Sequence, residues 1–311
     1  MKKSIKIMIN RFYKFKLNLI KKYKLSKIYK SEVDYKNDDE KKDLNIIIFS
    51  KDRPLQLHML LKSMRYYTSP SIDPYIIYST SSEKFNNAYE ELFHEYSNLF
   101  SMAINDDNKG FQRTLIDLLK NIDSGKIIFF VDDIFFKNKL RWSEVSCYDY
   151  KKIIPSLRLS PNLNFCYTIN DTQILPPLVN KNNKIFWYWH EGDYDWNYPL
   201  SLDGNVYDRQ EILNMIISLE FDSPNTLELS MQVYRKKFLK RMGVCFLNSI
   251  IVNNPINRVQ SDIPNIHGEL HQDYLLELWD EKKRINFIKY KGFVNVSAHQ
   301  ELKYTYESED I

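Results

Sequence analysis

Apolar residues in the first half of the sequence follow two patterns that alternate along the chain. Short uninterrupted apolar runs, such as Asn45–Ser50 and Lys126–Val131, are typical of strands buried on both faces of a sheet. Between these runs, apolar residues recur at steps of three and four, as in the stripe from Phe111 to Ile122, which is typical of an amphipathic helix. The pattern predicts strands at 45–50, 74–78, 99–104 and 126–131. It also predicts three helices: one that begins at Pro54, one at 84–97 and one at 111–122.

This alternation of strand and helix favours βαβ units and therefore an α/β fold with a mainly parallel sheet flanked by helices. In such folds the ligand binds at the carboxyl ends of the strands. The second half of the chain is less regular. Its pattern predicts helices near 208–219, 225–241 and 269–282, and strands near 165–169, 184–190, 244–252 and 292–306.

The first 31 residues differ in character from everything that follows. They contain eleven Lys or Arg and no Asp or Glu, and their apolar residues recur at helical spacing. A basic amphipathic helix of this kind can lie on an anionic membrane surface, although a solvated extension or an oligomer contact has the same pattern. The sequence thus predicts a basic segment at 1–31, a polar linker at 32–43, and one continuous folded domain at 44–311.

Composition narrows the classes of function. The net charge of +4 arises in the first 31 residues, so the rest of the chain is net acidic and does not favour nucleic-acid binding. Cys147, Cys166 and Cys245 are far apart and odd in number, which suggests neither a disulfide framework nor a zinc site. No apolar run is long enough for a transmembrane helix or a signal peptide.

Phosphate-binding glycine motifs are absent, since none of the seven glycines lies in a GxGxxG or GxxxxGK[ST] pattern. A different feature suggests phosphate chemistry. The buried run that ends at Val131 continues as Asp132-Asp133, which places two carboxylates at the ligand edge of the predicted sheet. Carboxylate oxygens suit Mg²⁺ or Mn²⁺ bridging a diphosphate, whereas a solvated strand end with a turn-forming Asp is the plainer interpretation.

Several segments occur in the order found in one group of enzymes. The first strand ends in Ser50-Lys51-Asp52-Arg53-Pro54, a later helix begins at Gly110-Phe111-Gln112-Arg113, and an apolar strand closes on Asp132-Asp133. In this respect 45–136 resembles the GT-A glycosyltransferases, specifically the family-2-like group. The third position of the acidic motif is Ile134, so the DXD motif is incomplete. Weaker matches follow at Leu202–Val206, Ser223–Glu228 and Asn295–Glu301.

The resemblance implies that 44–311 is a catalytic domain, with a nucleotide-sugar-binding half at 44–140 and an acceptor-side half at 141–311. It also implies a role for each matching residue. Asp132 would hold ribose or sugar hydroxyls, Asp133 would approach Mn²⁺ or Mg²⁺ with His299 as a further ligand, and Gly204 would belong to the glycine loop of the donor site. The nucleotide base and ribose would lie at the end of the first strand and just past the second. The residues implied there are Ser50, Asp52, Arg53 and Ser79, with Asp52 and Arg53 also able to act as a helix cap and its ion-pair partner.

Two further candidates concern the reaction. Glu228 falls where the resemblance places an acidic catalytic residue and is the candidate base for an inverting transfer, although a Glu early in a helix also complements the helix dipole. In a retaining enzyme Glu228 would instead position the acceptor. Arg113, at the start of the third helix, could reach a donor phosphate or be a solvated helix charge.

The densest aromatic region, 186–198, suggests an acceptor surface. Sugar rings pack their C–H faces on aromatic rings while carboxylates accept their hydroxyls. Trp189, Asp193 and Trp196 are therefore the predicted acceptor-binding residues, although half of the aromatics on a strand should face the core by alternation.

Together these features predict a glycosyltransferase that uses a nucleotide-diphosphate sugar, with UDP as the expected nucleotide, to extend a glycan or lipid-linked acceptor in bacterial polysaccharide or lipopolysaccharide synthesis. The basic segment 1–31 would hold it at the cytoplasmic face of the cell membrane. Two alternatives remain open at this point: an inactive nucleotide- or glycan-binding module of the same fold, and a sugar nucleotidyltransferase, which shares the sheet but usually begins with a glycine-rich phosphate loop.

Overall fold

A computed structural model describes residues 44–257 and 270–308 of the 311-residue chain. The predicted basic helix at 1–31 and the linker at 32–43 lie outside the described residues, as does the beginning of the predicted helix at 269–282. The described helices are α1 Pro54–Tyr67, α2 Glu83–Glu95, α3 Phe111–Asn121, α4 Ser143–Ser146, α5 Arg209–Ile216, α6 Pro224–Met231, α7 Arg235–Phe238 and α8 Gln272–Asp280. Short 3-10 turns cover Ser97–Leu99, Trp189–Glu191, Tyr194–Asn197, Gln232–Tyr234 and Phe287–Tyr290.

The strands of the first half are β1 Leu44–Lys51, β2 Thr68–Ser69, β3 Tyr75–Ser79, β4 Met102–Asn105, β5 Lys126–Val131, β6 Ile134–Phe136 and β7 Leu140–Arg141. Those of the second half are β8 Ile153–Pro155, β9 Phe165–Cys166, β10 Asp171–Thr172, β11 Val179–Lys181, β12 Lys184–Tyr188, β13 Val206–Asp208, β14 Met242–Phe246, β15 Ile251–Asn253, β16 Lys283–Ile285 and β17 Tyr306–Ser308.

The central sheet has five strands in the order β13-β5-β1-β3-β4. Strands β5, β1, β3 and β4 are parallel, and only the edge strand β13 runs antiparallel, to β5. The register pairs Ile48 of β1 with Phe130 of β5 and with Ile76 of β3. This arrangement confirms the predicted α/β class with a mainly parallel sheet flanked by helices.

Both faces of this sheet are buried, as the uninterrupted apolar runs predicted. On β1, Ile46 and Ile48 pack into one core and Ile47 and Phe49 into the other, because successive side chains of a strand point to opposite faces. The first core also contains apolar residues of α1, α2 and α8, and the second contains those of α3, α5 and α6. The sheet is therefore held between two layers, with its strand ends left open for a ligand.

A second sheet has the order β11-β12-β14-β8 and carries Trp187 on β12. Trp187, Trp189 and Trp196 are fully buried. The ring centroids of Trp189 and Trp196 lie 4.9 and 5.0 Å from the ring centroid of Trp187. The indole of Trp187 lies flat on the backbone of Gly243, where a Cβ atom would come within 2.2 Å of the ring. Any side chain at position 243 would displace that ring from the core.

The elements predicted from the first half agree with the structure to within a few residues at each end. In the second half, the predicted helix at 225–241 is divided into α6, a 3-10 turn and α7, and the predicted strand at 292–306 is almost entirely irregular. Within 44–257 and 270–308, no helix is long and apolar enough to cross a membrane.

Candidate active site

The carboxyl ends of β1 and β5 are adjacent because the two strands are parallel neighbours. This brings Asp132 to the end of β1, where the Ser50 hydroxyl donates to its Oδ2 at 2.9 Å and the Lys51 N–H donates to the same oxygen at 3.0 Å. The other oxygen, Oδ1, accepts from Arg53 Nη1 at 2.9 Å. Asp132 is thus oriented by three donors, two from the end of β1 and one from the turn that follows it.

Asp133 shares the same guanidinium. Its Oδ2 accepts from Arg53 Nη1 at 3.0 Å, and its Oδ1 accepts from Asn253 Nδ2, at the end of β15, at 2.8 Å. Arg53 also donates to the backbone carbonyl of Asn257. Burial raises the pKa of Asp133 to about 6, against the opposing effect of Arg53 and with the help of the Asp132 charge. One buried cation therefore balances two adjacent carboxylates.

Tyr89 on α2 stabilises this turn through its hydroxyl. The sequence alone did not point to this residue. Its hydroxyl is bonded to the Ser50 hydroxyl and accepts the Arg53 N–H at 3.1 Å. Arg53 precedes α1, whose first residue is Pro54, and Arg53 itself makes no side-chain cap. A guanidinium has only donors and cannot accept the N–H groups at a helix start, and here it donates to the two carboxylates.

The loop after Leu200 supplies a second ion pair. Asp203 Oδ2 lies 2.9 Å from His299 Nε2. Burial opposes the charged form of each group, but the hydrogen bond and opposite charge prevail, so the pKa of Asp203 is lowered and that of His299 is raised. Both shifts point to a carboxylate paired with an imidazolium. The backbone of His299 forms a β-bridge with the backbone of Asn253, whose side chain donates to Asp133. This bridge fixes the position of His299.

Glu228 lies in the second turn of α6 and is partly buried. Ser223 and Thr226 form a capping box at the helix start, so the cap does not involve Glu228. One carboxylate oxygen accepts the Leu202 N–H at 2.7 Å, and the Tyr198 hydroxyl donates to the same carboxylate. Burial and then the charge of Asp203 raise the pKa of Glu228 to about 7. A carboxyl group of this pKa can exchange a proton near neutrality.

Arg158 and Asp195 form the most deeply buried ion pair near these groups. Arg158 Nη1 lies 2.7 Å from Asp195 Oδ1, and Gln173 Nε2 lies 3.4 Å from the other oxygen. The charge of Arg158 also acts on Asp203 and Glu228. Arg158 therefore compensates part of the negative charge that accumulates between the loop and α6.

One cavity of about 760 Å³ is lined by all of these charged groups. The predicted residues that line it are Ser50, Arg53, Ser79, Asp132, Asp133, Glu228 and His299. Asp195, Tyr198 and Asp203, which belong to the predicted aromatic region and glycine loop, also line it. Residues that the sequence did not single out, and that line it too, are Arg158, Asn253 and Asn257. The structure thus brings the two predicted carboxylates and the predicted base into one enclosed space.

Three predicted donor-binding residues lie elsewhere. Asp52 has a positive φ of 53° and its carboxylate accepts the Ser81 N–H at 2.8 Å, so it stabilises the turn instead of facing the cavity. Arg113 is mostly exposed and lies 4.0 Å from Asp117 on its own helix. Gly204 packs between Ile251 and Phe130 with a φ of +75°. Its backbone fixes the loop that carries Asp203, but the residue does not line the cavity.

The predicted acceptor surface is wrong for both tryptophans. Trp189 and Trp196 have no exposed surface, because the two 3-10 turns after β12 fold them back against Trp187. Trp196 Nε1 donates to the Leu163 carbonyl at 3.0 Å. Asp193 is exposed but does not line the cavity, whereas its neighbours Tyr194 and Asp195 do. The aromatic density of this region indicated a core and not a platform.

The residues present can hold a divalent ion only together with a substrate. Within the described ranges, no group of three or more His, Cys, Asp or Glu side chains is arranged to bind a metal. The predicted ligand His299 is engaged by Asp203, and each Asp133 oxygen already accepts one hydrogen bond. Mg²⁺ is commonly bound by one or two carboxylates plus substrate phosphates and water. Asp133, with a lone pair left on each oxygen, fits that requirement.

A signal for some of the missed residues is present in the sequence. Asn253 and Asn254 end an apolar run that begins at Ile250, just as Asp132 and Asp133 end theirs, and the same logic would have placed them at a strand end. Asp203 precedes the loop glycine directly. Arg158, Tyr198 and Tyr89 have no comparable signal, because only the packing of distant segments brings them to the cavity.

Comparison of the sequence with protein-family models and with curated proteins gives no match. Solved structures with a related arrangement include S. aureus TarS (11% identity, 75% of this chain and 38% of that chain, TM-score 0.41). The mannosyltransferase PcManGT from Pyrobaculum calidifontis in complex with GDP-Man and Mn²⁺ is 11% identical, covers 78% of this chain with 66% of its own, and has a TM-score of 0.41. For 4-diphosphocytidyl-2C-methyl-D-erythritol synthase from Anaerococcus prevotii the identity is 12%, the coverage is 67% of this chain and 89% of that chain, and the TM-score is 0.37.

The chain thus spans 38% of the length of the TarS structure and 66% of the length of the mannosyltransferase structure. TM-scores below 0.5 at identities of 11 to 12% do not place it in a family.

Proposed function

We propose that the chain is a glycosyltransferase of the GT-A type, which transfers a sugar from a nucleotide-diphosphate sugar to an acceptor hydroxyl. The observation that carries this proposal is the convergence in one cavity of two kinds of carboxylate. Asp132 and Asp133 lie at the ligand edge of the parallel sheet, and Glu228, with a pKa of about 7, faces them from the second half of the chain. The order of the sequence motifs supports the same assignment.

The nucleotide end of the donor is assigned to the strand ends. Ser50 and Ser79 end β1 and β3, which are adjacent, and both line the cavity. A carboxylate offers about four acceptor positions, so Asp132 retains one for a ribose or sugar hydroxyl after accepting its three protein donors. Lys51 also lines the cavity and supplies a positive charge beside the site for the diphosphate.

The reaction follows from the position of Glu228. Its carboxylate would accept the proton of an acceptor hydroxyl while that oxygen attacks the anomeric carbon, and the bond to the diphosphate oxygen would break with its electron pair leaving on the diphosphate. The Leu202 N–H and the Tyr198 hydroxyl fix the carboxylate in position. A divalent ion, when held by Asp133 and the donor phosphates, would supply Lewis-acid stabilisation to the leaving group.

An inactive binding module of the same fold would need no proton acceptor. Burial and the nearby charge of Asp203 disfavour the ionised form of Glu228, as its raised pKa shows. A carboxyl group with a pKa perturbed in this way is typical of an enzyme active site, which favours an enzyme. The finer assignments are also proposals: UDP as the nucleotide, a surface glycan or lipid-linked acceptor, and a location at the cytoplasmic membrane face. Their support is the order of the motifs and the basic composition of residues 1–31.

The proposal is tested first by ligand binding. Thermal unfolding of the full chain is measured with UDP, GDP, CMP and their sugars, each with Mn²⁺ or with a chelator. A nucleotide at a hundred times its Kd should raise the Tm by about 5 °C. Asp133→Asn should weaken that shift, while Asp280→Asn, an exposed Asp at the end of α8, should leave it unchanged.

The absence of a shift with every nucleotide would contradict the glycosyltransferase assignment. Among nucleotides that bind, slow hydrolysis of the donor sugar then separates an enzyme from a binding module. A chelator that abolishes the shift in the parent protein would assign a bound metal to Asp133, and an unchanged shift would assign the diphosphate to protein cations alone.

A further inference from the structure

Four side chains stand out as the most exposed large hydrophobic groups in the described part of the chain. They are Val233, Ile174, Leu229 and Ile169, with 77, 75, 61 and 56% of their surface accessible. Single exposed apolar residues are ordinary, but several in one area mark a surface that another phase or molecule covers.

Two of these four side chains line the cavity, and the other two are close in the chain to residues of its wall. Ile169 and Leu229 line it directly, together with Tyr194, which is itself 40% exposed. Val233 follows Leu229 by one helical turn. Ile174 follows Gln173, whose amide is bonded to Asp195 in the cavity wall. We call Ile169, Ile174, Tyr194, Leu229 and Val233 the apolar rim.

Positive charge adjoins the rim on its helical side. The segment 235–241 reads Arg-Lys-Lys-Phe-Leu-Lys-Arg and contains no acidic residue. Phe238 anchors it in the core, and Lys236 and Lys240 are exposed. Leu229 lies on α6, Val233 in the 3-10 turn that follows it and Lys236 on α7, so the exposed apolar and basic side chains belong to consecutive turns of one segment. Asp171, hydrogen-bonded to Tyr194 at 3.3 Å, lies on the opposite part of the rim.

We propose that the apolar rim, with Lys236 and Lys240, rests on an anionic lipid bilayer, so that the cavity opens toward the membrane surface. The rim side chains would enter the headgroup boundary and the two lysines would lie near lipid phosphates. The membrane contact stands on the surface itself. Its use, which is to let a lipid-borne acceptor reach Glu228 without leaving the bilayer, rests on the proposed function.

A second copy of the chain fits this surface less well. In a two-fold dimer the same patch faces itself, which would bring the lysines of the two copies together along with the rims. Like charges at an interface are unfavourable, whereas an anionic bilayer presents the opposite charge across the whole surface.

The proposal is tested by sedimentation of the full chain with sucrose-loaded phosphatidylcholine vesicles, with and without phosphatidylglycerol. The pair Ile174→Ser and Val233→Ser should weaken partition by about tenfold per side chain. Its control is Ile217→Ser with Ile288→Ser, two apolar residues exposed elsewhere.

The charge of the surface is tested separately. Lys236→Glu with Lys240→Glu should reduce binding to anionic vesicles by about thirtyfold or more. The control pair is Lys120→Glu with Lys289→Glu, two exposed lysines elsewhere. Asp171→Asn should strengthen binding to anionic vesicles.

Hydrogen exchange separates this surface from the basic segment at the start of the chain. With anionic vesicles bound, the amides of 167–175 and 229–240 should be protected in the full-length protein. Protection confined to residues 1–31, equal losses in test and control pairs, or a change in oligomeric mass caused by the rim variants would overturn the proposal. Nucleotide binding, measured without vesicles, is unaffected by any of these outcomes and tests the proposed function separately.

Discussion

Replacing Glu228 by Gln tests the proposed chemistry most directly. Gln keeps the size of the side chain and one oxygen to accept the Leu202 N–H, but it cannot accept a proton. If Glu228 is the base, sugar transfer should fall by about 10² to 10⁴-fold, whereas nucleotide affinity should be preserved because the donor carboxylates are untouched. The matched control is Glu220→Gln, an exposed glutamate that precedes α6.

The pH dependence provides the quantitative part of this prediction. With a pKa of about 7, roughly one tenth of Glu228 is ionised at pH 6, so kcat/KM should fall about tenfold from its plateau there and continue to fall with acid. The residual activity of Glu228→Gln should lack this limb. The measurement is kcat/KM for transfer from pH 5 to 9 in both proteins, with the donor identified by the thermal screen.

The free energy of unfolding should change with pH in the opposite direction to kcat/KM. Measuring it therefore distinguishes a lost proton acceptor from a folding defect in the variant. Because the pKa of Glu228 is raised from 4.5 to about 7, the folded state binds more protons than the unfolded state between these pH values. The free energy of unfolding should therefore fall by about 3 kcal/mol as the pH rises through this interval. Glu228→Gln removes that loss and should be at least as stable as the parent at pH 8 in urea.

Two results would refute the reasoning. The first is a Glu228→Gln protein that retains more than one tenth of the parent activity at pH 8. The second is an acidic limb that persists unchanged in the variant, since it would then belong to another group. Loss of activity accompanied by loss of stability at pH 8 would assign Glu228 a structural role instead.

The remaining predictions concern the buried charges and the loop glycine. Arg53→Met leaves two adjacent buried carboxylates without a cation and should lower the free energy of unfolding by about 3 to 5 kcal/mol in urea at pH 8, with a smaller loss at pH 5 where Asp133 is protonated. A loss independent of pH would contradict the shared ion pair. Gly204→Ala should cost about 1 to 3 kcal/mol more than Gly110→Ala, because both have positive φ but only a Cβ at 204 would approach Ile251 Cδ1 to 2.5 Å. Equal costs in thermal unfolding would show that the packing around 204 yields easily.

The sequence predicted the first half of the fold well because that half follows one local rule. Strands buried on both faces are uninterrupted apolar runs, and β1 and β5 begin and end within a residue of their predicted bounds. Asp132 and Asp133 could be placed for the same reason, since a polar residue at the end of such a run lies at the ligand edge of a parallel sheet.

The rest of the site depends on distant contacts that local patterns do not report. Trp189 was predicted at a surface, but the pairing of β12 with β14, more than fifty residues later, determines that its neighbourhood is core. Arg158 and Tyr198 reach the cavity through loops without periodicity. The position of Glu228 was predicted by motif order, whereas its proton affinity depends on Asp203, a neighbour only in the folded chain.

Three consecutive residues in the loop before β13 each hold a different part of the cavity. The Leu202 N–H bonds Glu228, the Asp203 carboxylate pairs with His299, and the Gly204 N–H donates to Phe129 of the central sheet at 2.9 Å. Because one short segment serves three partners, these partners cannot be adjusted independently. Under the proposed function, mutational libraries that aim to change sugar specificity should therefore leave 202–204 intact and vary the cavity wall at Thr168 and Ile169.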